Sequence, residues 1–422
     1  MFLLSKLLTH LIRVGTLTLT DAKGRRYVFA GAPGLSLAVR LWDPALPRRL
    51  FLNPSLALGE AYTDGTLTVE NGGDLYDLLD LLTLNAGQVG LHPFNRARIG
   101  LERIFRRLDQ FNPIPRARAN VAHHYDLSGE LYGLFLDSDR QYSSAYFRTG
   151  SEDLDTAQLD KKRHIAAKLL LKPGAKVLDI GSGWGGLALH LAREYNVEVT
   201  GLTLSSEQLA YAEARAAREG LAGRVRFALR DYRDESGTYD RIVSVGMFEH
   251  VGVNHFRRFF AQVRDRLTPD GIALLHTIGR TQIPRRTDPW IRKYIFPGGY
   301  IPALSEVSRA IEHERLETTD IEILRLHYAE TLRHWRRRFL ANRDRVKALY
   351  DERFCRMWEF YLAISEASFR HLDSVVFQIQ MAKRRDAVPL VRDYLYGLGT
   401  DSSKFERPRL RAVPGRSDPR AA

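Results

Sequence analysis

The sequence predicts an α/β protein: a larger domain with a doubly wound, mostly parallel sheet, preceded by a small α+β domain. Three observations predict this fold class. Residues 15–90 alternate short strand-like runs with turn residues, residues 160–280 alternate apolar runs with amphipathic helical segments, and a glycine-rich turn follows the first of those runs. A chain of 422 residues is long enough for two or three domains.

The composition is that of a globular, basic protein. Hydrophobic residues make up 44% and charged residues 27% of the chain, which indicates a packed core. The formal net charge of +13 favours an anionic partner but does not distinguish nucleic acid, an acidic membrane and an anionic small molecule. A single cysteine, Cys355, excludes an internal disulfide framework and a multi-thiolate metal site.

The first residues carry an apolar helical face. Its members repeat at helical spacing and are Leu3, Leu4, Leu7, Leu8, Leu11 and Ile12. Lys6, His10 and Arg13 interrupt the run and no small-residue cleavage site follows, so we expect neither a signal peptide nor a spanning helix. Two interpretations stay open: a helix that packs on its own domain, and a helix that lies on a membrane surface.

Four segments are predicted along the chain. Residues 1–95 form the small α+β domain. Residues 96–122 form an arginine-rich linker helix, either an ordinary solvated helix or a basic amphipathic helix that rests on anionic phosphate. Residues 123–390 form the larger domain, and residues 391–422 form a polar, flexible tail. The basic segment lacks interleaved aromatic residues, so it does not indicate nucleic acid.

The elements of the two domains follow from hydrophobic periodicity and turn residues. In the small domain we predict three strands and one helix, at Thr16–Thr20, Arg26–Ala30, Leu35–Leu41 and Leu75–Leu84. The predicted strands of the larger domain are Lys176–Ile180, Glu198–Leu202, Arg226–Arg230, Arg241–Val245, Gly271–Ile278 and Val375–Ala382. The predicted helices are Gly185–Glu194, Ser206–Glu219, Asn254–Leu267, Tyr328–Ala341 and Asp351–Phe369. After a Pro/Gly-rich stretch that ends at Pro302, we expect a mainly helical chain up to the last strand.

The glycine turn after the first strand of the larger domain is the strongest chemical signal. Residues 177–186 read VLDIGSGWGG: a strand, a turn whose backbone can approach a ligand, and a helix N-terminus. On spacing alone this also fits a dinucleotide fingerprint. Asp179 suits a positively charged amino or sulfonium group, and the second strand ends in the hydroxyls of Thr203 and Ser205 where a nicotinamide ribose requires an acid. The residues therefore favour S-adenosylmethionine.

A set of ordered motifs carries a family resemblance. The chain contains HYDLSGELYGLFLDSDRQYSSAYF, LDIGSGWGG, GLTLSSEQ, MFEHVG, LLHTIG, YIFPGGYIP and HYAETL in that order. Over residues 120–385 it resembles the cyclopropane-fatty-acyl-phospholipid synthase and mycolic acid cyclopropane synthase family. The segment GEAYTDG at residues 59–65 looks like part of the extra N-terminal domain of the phospholipid-acting bacterial members. The resemblance implies a Rossmann-like class I methyltransferase fold for the larger domain.

The resemblance implies that S-adenosylmethionine binds in the larger domain, to the segment that folds over it and to the ends of the first three strands. The expected cofactor-binding residues are Tyr142, Ser143, Asp179, Gly181, Gly183, Trp184, Gly185, Thr203, Gln208, Asp231 and Tyr232. An aromatic ring beside a polar residue at the third strand end suits the face and the edge of adenine. We predict no metal site, because His123 and His124 lack partners at useful spacing.

The resemblance also implies the reaction, which is methyl transfer to a cis double bond of an acyl chain. The resulting carbocation loses a proton, and bicarbonate bound by the enzyme is the implied base. The expected catalytic residues are Glu249, His276, Tyr328, Ser144 and, through its backbone, Ile278. The chain departs from the family at Ser144, where most members have cysteine. A hydroxyl still donates a hydrogen bond, but the product of the carbocation becomes open.

Several functions therefore stay open. The favoured hypothesis is cyclopropane synthesis on unsaturated phospholipids. The second is C-methylation that leaves a methyl or methylene branch. Small-molecule N-methylation is disfavoured by the extra domain. An inactive binding protein is disfavoured because Glu249, His276 and Tyr328 are all present. We expect a cytoplasmic enzyme that associates peripherally, through basic residues, with the anionic inner face of the cell membrane. We expect no nucleic-acid partner, and a homodimer through the N-terminal domain would match the resemblance.

Overall fold

The structure is a computed structural model that describes residues 1–88 and 128–396. The predicted linker helix at 96–122 lies outside the described residues, as do His123, His124 and the predicted tail beyond residue 396. Within the described ranges, no helix combines the length and the apolar character needed to cross a membrane.

Up to residue 88 the chain forms a four-stranded sheet with helices packed on it. Its elements are α1 (Phe2–Leu11), β1 (Val14–Thr20), β2 (Arg26–Ala30), β3 (Ala32–Leu41), α2 (Leu46–Leu52), α3 (Pro54–Thr63), β4 (Leu67–Glu70) and α4 (Leu75–Gln88). The strand order is β2-β1-β3-β4, with β1 parallel to β3 and the other two pairs antiparallel. The predicted strands and helix are present, and α2, α3 and β4 were not predicted.

Helix α1 packs on the sheet of its own unit. Leu4, Leu8 and Ile12 are buried at four-residue spacing in the apolar core of this unit. This confirms the interpretation of α1 as a helix that packs on its own domain. Phe2 and Leu3, near the start of the helix, remain exposed.

From residue 129 onwards the described chain forms a larger α/β unit. Its elements before the glycine turn are α5 (Gly129–Phe135), α6 (Leu154–Leu169) and β5 (Lys176–Ile180). The next elements are α7 (Gly186–Tyr195), β6 (Glu198–Thr203), α8 (Ser206–Arg218), β7 (Val225–Leu229), β8 (Tyr239–Val245), α9 (Phe256–Arg266) and β9 (Leu267–Arg280). The last elements are α10 (Pro289–Tyr294), α11 (Leu304–His313), β10 (Glu317–Leu324), α12 (His327–Ala341), α13 (Arg343–Leu349), α14 (Glu352–His371) and β11 (Ser374–Ala382).

These strands form a seven-stranded sheet in the order β10-β11-β9-β8-β5-β6-β7. Strands β5 to β9 pair in parallel, and β11 runs antiparallel to both of its neighbours. The predicted doubly wound, mostly parallel sheet is therefore confirmed. The strand order reverses at β5, whose neighbours are β6 and β8. In open α/β sheets, ligands bind at the carboxyl ends of the strands beside such a reversal.

Between Pro302 and the last strand the chain is mainly helical, as expected, but strand β10 was not predicted. This strand forms the edge of the sheet and reads ETTDIEIL, with buried residues only at Asp320 and Leu324. An edge strand with one solvated face needs no apolar run, so hydrophobic periodicity did not reveal it.

Side-chain caps start two of the helices near the reversal point. Ser205 caps α8 by accepting a hydrogen bond from the Gln208 amide. Asp153 caps α6 in the same way, with the Thr156 amide as donor at 2.8 Å. The first cap matters for the site, because it fixes the turn of α8 that carries Gln208.

The N-terminal unit contacts the larger unit through the GEAYTDG segment in α3. A side chain at Gly59 would lie within 2.4 Å of the Trp290 ring in α10, so only glycine lets this indole pack against the helix. The Glu60 carboxylate next to it accepts hydrogen bonds from Lys293 at 2.7 Å and Tyr294 at 3.0 Å. The segment thus holds α10 against the N-terminal unit.

Candidate active site

The glycine turn lies between β5 and α7, directly at the reversal point. Gly181, Gly183 and Gly185 have φ angles of +86°, +54° and +83°, a backbone region that favours glycine. The amides of Gly181 and Ser182 donate to the Leu202 carbonyl, which ties the turn to the end of β6. A side chain at Gly181 would meet Met247 at 2.8 Å. At Gly181 and Gly183 the turn therefore presents backbone, and no side chain, to the site.

A cavity opens above this turn. It is lined by ten of the eleven predicted cofactor-binding residues: Tyr142, Ser143, Asp179, Gly181, Gly183, Trp184, Thr203, Gln208, Asp231 and Tyr232. The wall also includes residues that sequence reasoning missed, namely Arg140, Gln141, Ile180, Ser182, Leu187, Leu202, Leu204, Arg230, Arg233, Val245, Gly246, Met247, His250 and Val251. Most of these residues are sequence neighbours of predicted residues at strand ends. Their position next to a strand end could therefore have identified them from the sequence.

Gly185 is the predicted cofactor-binding residue that lies outside the cavity wall. A side chain there would approach the Phe227 ring at 2.8 Å and Ala212 at 2.9 Å. Gly185 therefore permits close packing of the turn against β7 and α8.

Polar pairs order the wall at the ends of β6 and β7. The Thr203 hydroxyl donates to the Gln208 side-chain carbonyl at 2.9 Å. Asp231 accepts two hydrogen bonds from the Arg233 guanidinium, at 2.8 and 2.6 Å, and a third from the Arg233 backbone amide. The Tyr232 ring packs edge-on against Phe259, with 5.4 Å between centroids. These contacts fix the polar groups of the wall before any ligand binds.

Asp179 lies buried at the end of β5, beside the glycine turn. Its side chain is 1% exposed, and its Oδ2 atom has no hydrogen-bond partner among the described residues. Burial raises the pKa of this carboxyl to about 7, against the lowering effect of Lys161. A buried acid without a partner fits the positively charged amino-acid end of S-adenosylmethionine, because that charge would stabilise the ionised carboxylate.

A strap, defined as residues 142–147, contributes Tyr142 and Ser143 to the cavity wall. Its Tyr142 hydroxyl lies 2.8 Å from the Tyr361 hydroxyl of α14, and its ring stacks on Trp335 of α12 at 5.1 Å. The Ala145 amide donates to the Thr331 hydroxyl at 2.9 Å. These contacts tie the strap to α12 and α14.

Lys161 of α6 holds the inner side of the strap. Its buried ammonium donates to the Ser143 hydroxyl and to the Gln141 side-chain carbonyl, each at 2.8 Å. Burial lowers the pKa of Lys161 to about 7, and Asp137 opposes that shift. Both of its acceptor residues line the cavity, so Lys161 supports the cavity wall from behind.

Glu249 and Ile278 meet where β8 and β9 end. The Glu249 carboxylate accepts a hydrogen bond from the Ile278 amide at 2.6 Å, and its Oε2 atom has no hydrogen-bond partner in the described part of the chain. Burial raises the pKa of Glu249 to about 7, although the Ile278 hydrogen bond lowers it. Ile278 thus uses its amide to hold the carboxylate, and the second carboxylate oxygen is left for another group.

His276 lies two residues before Ile278 on β9. Its Nδ1 atom is 3.1 Å from the side-chain nitrogen of Gln378, the residue directly opposite it on β11. Burial holds the pKa of His276 well below its usual value, and the charges of Lys161 and Lys168 act in the same direction. The imidazole is therefore neutral at physiological pH and held in place by Gln378.

Tyr328 and Ser144, the other two predicted catalytic residues, lie on α12 and on the strap. The Tyr328 ring packs edge-on against Trp335 at 5.7 Å and against Phe369 at 4.8 Å. The buried Ser144 hydroxyl donates to the Ala145 carbonyl at 3.1 Å.

Among the described residues, no group of three or more His, Cys, Asp or Glu side chains could hold a metal ion.

The chain matches a family model over residues 114–379, and that model describes mycolic acid cyclopropane synthetase. The chain belongs to this family. It is also 40% identical to the cyclopropane-fatty-acyl-phospholipid synthase of Escherichia coli strain K12, over 82% of this chain and 87% of the relative. A probable fatty acid methyltransferase of Pseudomonas putida is 37% identical over 81% of this chain and 85% of its own length.

Solved structures of family members agree with this membership. A cyclopropane synthase of Mycobacterium tuberculosis matches with a TM-score of 0.61 and 32% identity, over 65% of this chain and 99% of its own. A mycolic acid cyclopropane synthase complexed with SAH and CTAB matches with a TM-score of 0.60, 33% identity and the same coverage. The protein is an S-adenosylmethionine-dependent methyltransferase of the cyclopropane-fatty-acyl-phospholipid synthase type, and it modifies lipids.

Proposed function

We propose that this enzyme transfers the methyl group of S-adenosylmethionine to the cis double bond of an unsaturated phospholipid acyl chain and forms a cyclopropane ring. The observation that carries the proposal is the pairing of Glu249 with Ile278 next to the neutral His276, at the carboxyl ends of β8 and β9. The similarity to the Escherichia coli phospholipid enzyme over most of both chains supports the choice of substrate.

The residues of the cavity bind and orient the methyl donor. S-adenosylmethionine, when bound, supplies a methyl group activated by the positive sulfonium. Asp179 would hold the positively charged end, Thr203 and Gln208 would hold the ribose, and Tyr232 would hold adenine. The strap would hold the donor from its own side of the cavity, so that the methyl group could be transferred beside Glu249 and His276. An alkene is a weak nucleophile, and such positioning provides much of the rate enhancement.

The Glu249 site fits a small bound anion such as bicarbonate. Its buried Oε2 atom lacks a partner among the described residues, and with a pKa raised to about 7 the protonated carboxyl can donate a hydrogen bond to an anion. His276 and the hydroxyls of Tyr328 and Ser144 would complete the anion site. Bicarbonate, when bound, supplies a base beside an apolar pocket. Glu249 would hold it and keep water from the carbocation.

Labelled S-adenosylmethionine and vesicles of unsaturated phospholipid test the proposal. We expect a labelled fatty acid that resists hydrogenation, as a saturated ring does. The variant Glu198→Gln, an exposed residue far along β6 from the turn, is the control and should incorporate label normally. Binding of S-adenosylhomocysteine without any labelled lipid would refute the proposed substrate.

A second product is favoured by one observation at Ser144. Its hydroxyl is already hydrogen-bonded to the Ala145 carbonyl, so it contributes less to an anion site than a free donor would. A weaker base site favours loss of a different proton, which leaves a C=C bond in the product as a methylene group or a methyl-branched alkene. Fatty-acid methyl esters analysed by mass spectrometry, with derivatisation of double bonds, distinguish a ring from a branch. We expect Ser144→Cys to increase the share of ring product; an unchanged ratio argues against a role for this position.

We also propose that the enzyme reaches its substrate by docking on an anionic membrane, as its net charge of +13 suggests. Sedimentation with vesicles that contain anionic phospholipid measures this. Binding should weaken steeply as salt rises from low to physiological ionic strength, because exposed charges are screened. Neutral vesicles are the control, and binding that is independent of both salt and lipid charge would contradict electrostatic docking.

A further inference from the structure

Arg140 is a cation of the cavity wall that sequence reasoning did not select. It immediately precedes Gln141 and the strap, and its backbone has φ +52°, in the left-handed region that side chains rarely adopt. Its guanidinium carbon lies 4.4 Å from the Tyr211 ring centroid and 5.2 Å from the Trp184 ring centroid. Two aromatic faces therefore hold the charged group at the glycine turn.

The three arginines of the wall differ in their partners. Arg230 pairs with Glu235 at 2.8 Å, and Arg233 pairs with Asp231 at 2.6 Å. Arg140 forms no ion pair within residues 1–88 and 128–396. Among the described residues, Arg140 therefore has no acid within ion-pair distance, whereas the other two arginines are paired with acids of the chain.

The surroundings of this guanidinium leave its donors accessible. A side chain at Gly129 would lie 3.2 Å from Nη1 of Arg140, and one at Gly133 would lie 3.7 Å from Nη2. These glycines are four residues apart, at the start and on the same face of α5. The guanidinium thus lies near helix backbone, two aromatic rings and, beyond ion-pair distance, the Glu207 carboxylate, whose Oε1 atom accepts a hydrogen bond from the Gly129 amide at 2.9 Å. Within the described part of the chain, these neighbours do not take up its full set of hydrogen bonds.

We propose that Arg140 binds the α-carboxylate of S-adenosylmethionine and makes the enzyme selective for ligands that carry it. This carboxylate is the anionic group of the cofactor, and a guanidinium matches its two oxygens with two parallel donors. Arg140 and Asp179 flank the same glycine turn, and within the described residues the first has no ion-pair partner and the second is a buried acid with an unpartnered oxygen. Together they complement the two opposite charges of an amino-acid group.

Calorimetric binding of two ligands tests the proposal without turnover. S-adenosylhomocysteine carries the carboxylate, and its decarboxylated analogue keeps the amine and the adenosine but lacks the carboxylate. The variant Arg140→Met keeps an apolar stem against Trp184 and Tyr211. We expect it to raise the Kd of S-adenosylhomocysteine about 10- to 100-fold, the range for loss of a charge-assisted pair, and to leave the Kd of the analogue within about twofold.

Two further variants make the outcome decisive. Arg230→Met removes an arginine of the same wall that is already paired, and it should change the Kd of both ligands by the same factor. Arg140→Lys should recover part of the lost affinity for S-adenosylhomocysteine alone. Equal losses for both ligands in Arg140→Met would overturn the proposal, because the side chain would then act on the adenosine part or on the shape of the cavity. Unchanged binding of both ligands would also overturn it.

Discussion

The Glu249 carboxyl is buried, and burial disfavours its ionised form. Burial raises its pKa from 4.5 to about 7, so the folded protein keeps a proton that the unfolded chain loses between those pH values. The contribution of Glu249 to the free energy of unfolding therefore falls as pH rises from 4.5 to 7. Above pH 7 it falls no further. A shift of this size corresponds to roughly 3 kcal/mol as an upper bound.

We predict opposite effects of Glu249→Gln on stability and activity. In denaturant titrations without ligand, the variant should be about 1–3 kcal/mol more stable than the wild type at pH 8 and of equal stability at pH 4. Turnover should fall at least about 100-fold, as expected when a group that holds the base is lost. Glu198→Gln should show neither effect. A stability gain at pH 4 as large as at pH 8 would contradict the titration argument.

At the scale of elements, the strap depends on α6 for its position. Lys161 is the donor to both Ser143 and Gln141, so its removal leaves two residues of the cavity wall without their shared partner. We predict that Lys161→Met raises the Kd of S-adenosylhomocysteine about tenfold, measured by calorimetry. Arg163→Met, an exposed position on the same helix, is the matched control. An unchanged Kd in Lys161→Met would show that the strap holds its position without this contact.

How much the sequence predicts also differs between elements. The buried parallel strands and the glycine turn were predicted closely, because apolar runs and glycine spacing are local signals. β10 was missed because its first four residues are polar and its buried positions, Asp320 and Leu324, do not belong to an apolar run. Arg140 and Lys161 were missed because their importance comes from side chains far away in sequence, Tyr211 for the first and Ser143 for the second. Local sequence patterns do not reveal contacts between residues that are distant in the sequence.

At the scale of the whole molecule, the two sheet-containing units meet through Gly59 and Trp290. We predict that Gly59→Ala lowers the thermal unfolding midpoint by a few degrees, because the new methyl group overlaps the indole and outweighs the gain in helix propensity of about 1 kcal/mol. Binding of S-adenosylhomocysteine should not change, while turnover on vesicles should fall, since α10 leads into Phe296 beside His250.

The double variant Gly59→Ala with Trp290→Phe is the control for this overlap. The smaller ring makes room for the methyl group, so the double variant should be more stable than the sum of the two single effects allows. Strictly additive effects on the unfolding midpoint would show that the two residues do not interact across the contact.

The position of β11 has a consequence for how the protein is made. This strand lies between β9 and β10 although it follows both in the chain, and its Gln378 holds His276. During synthesis, therefore, β10 cannot join the sheet and the imidazole cannot be held until residues 374–382 have left the ribosome. A chain released earlier has the glycine turn but an unsupported histidine and an open sheet edge, which favours aggregation. The residues that line the donor cavity thus all precede residue 252, whereas contacts that hold its strap and His276 come from the later elements α12, α14 and β11.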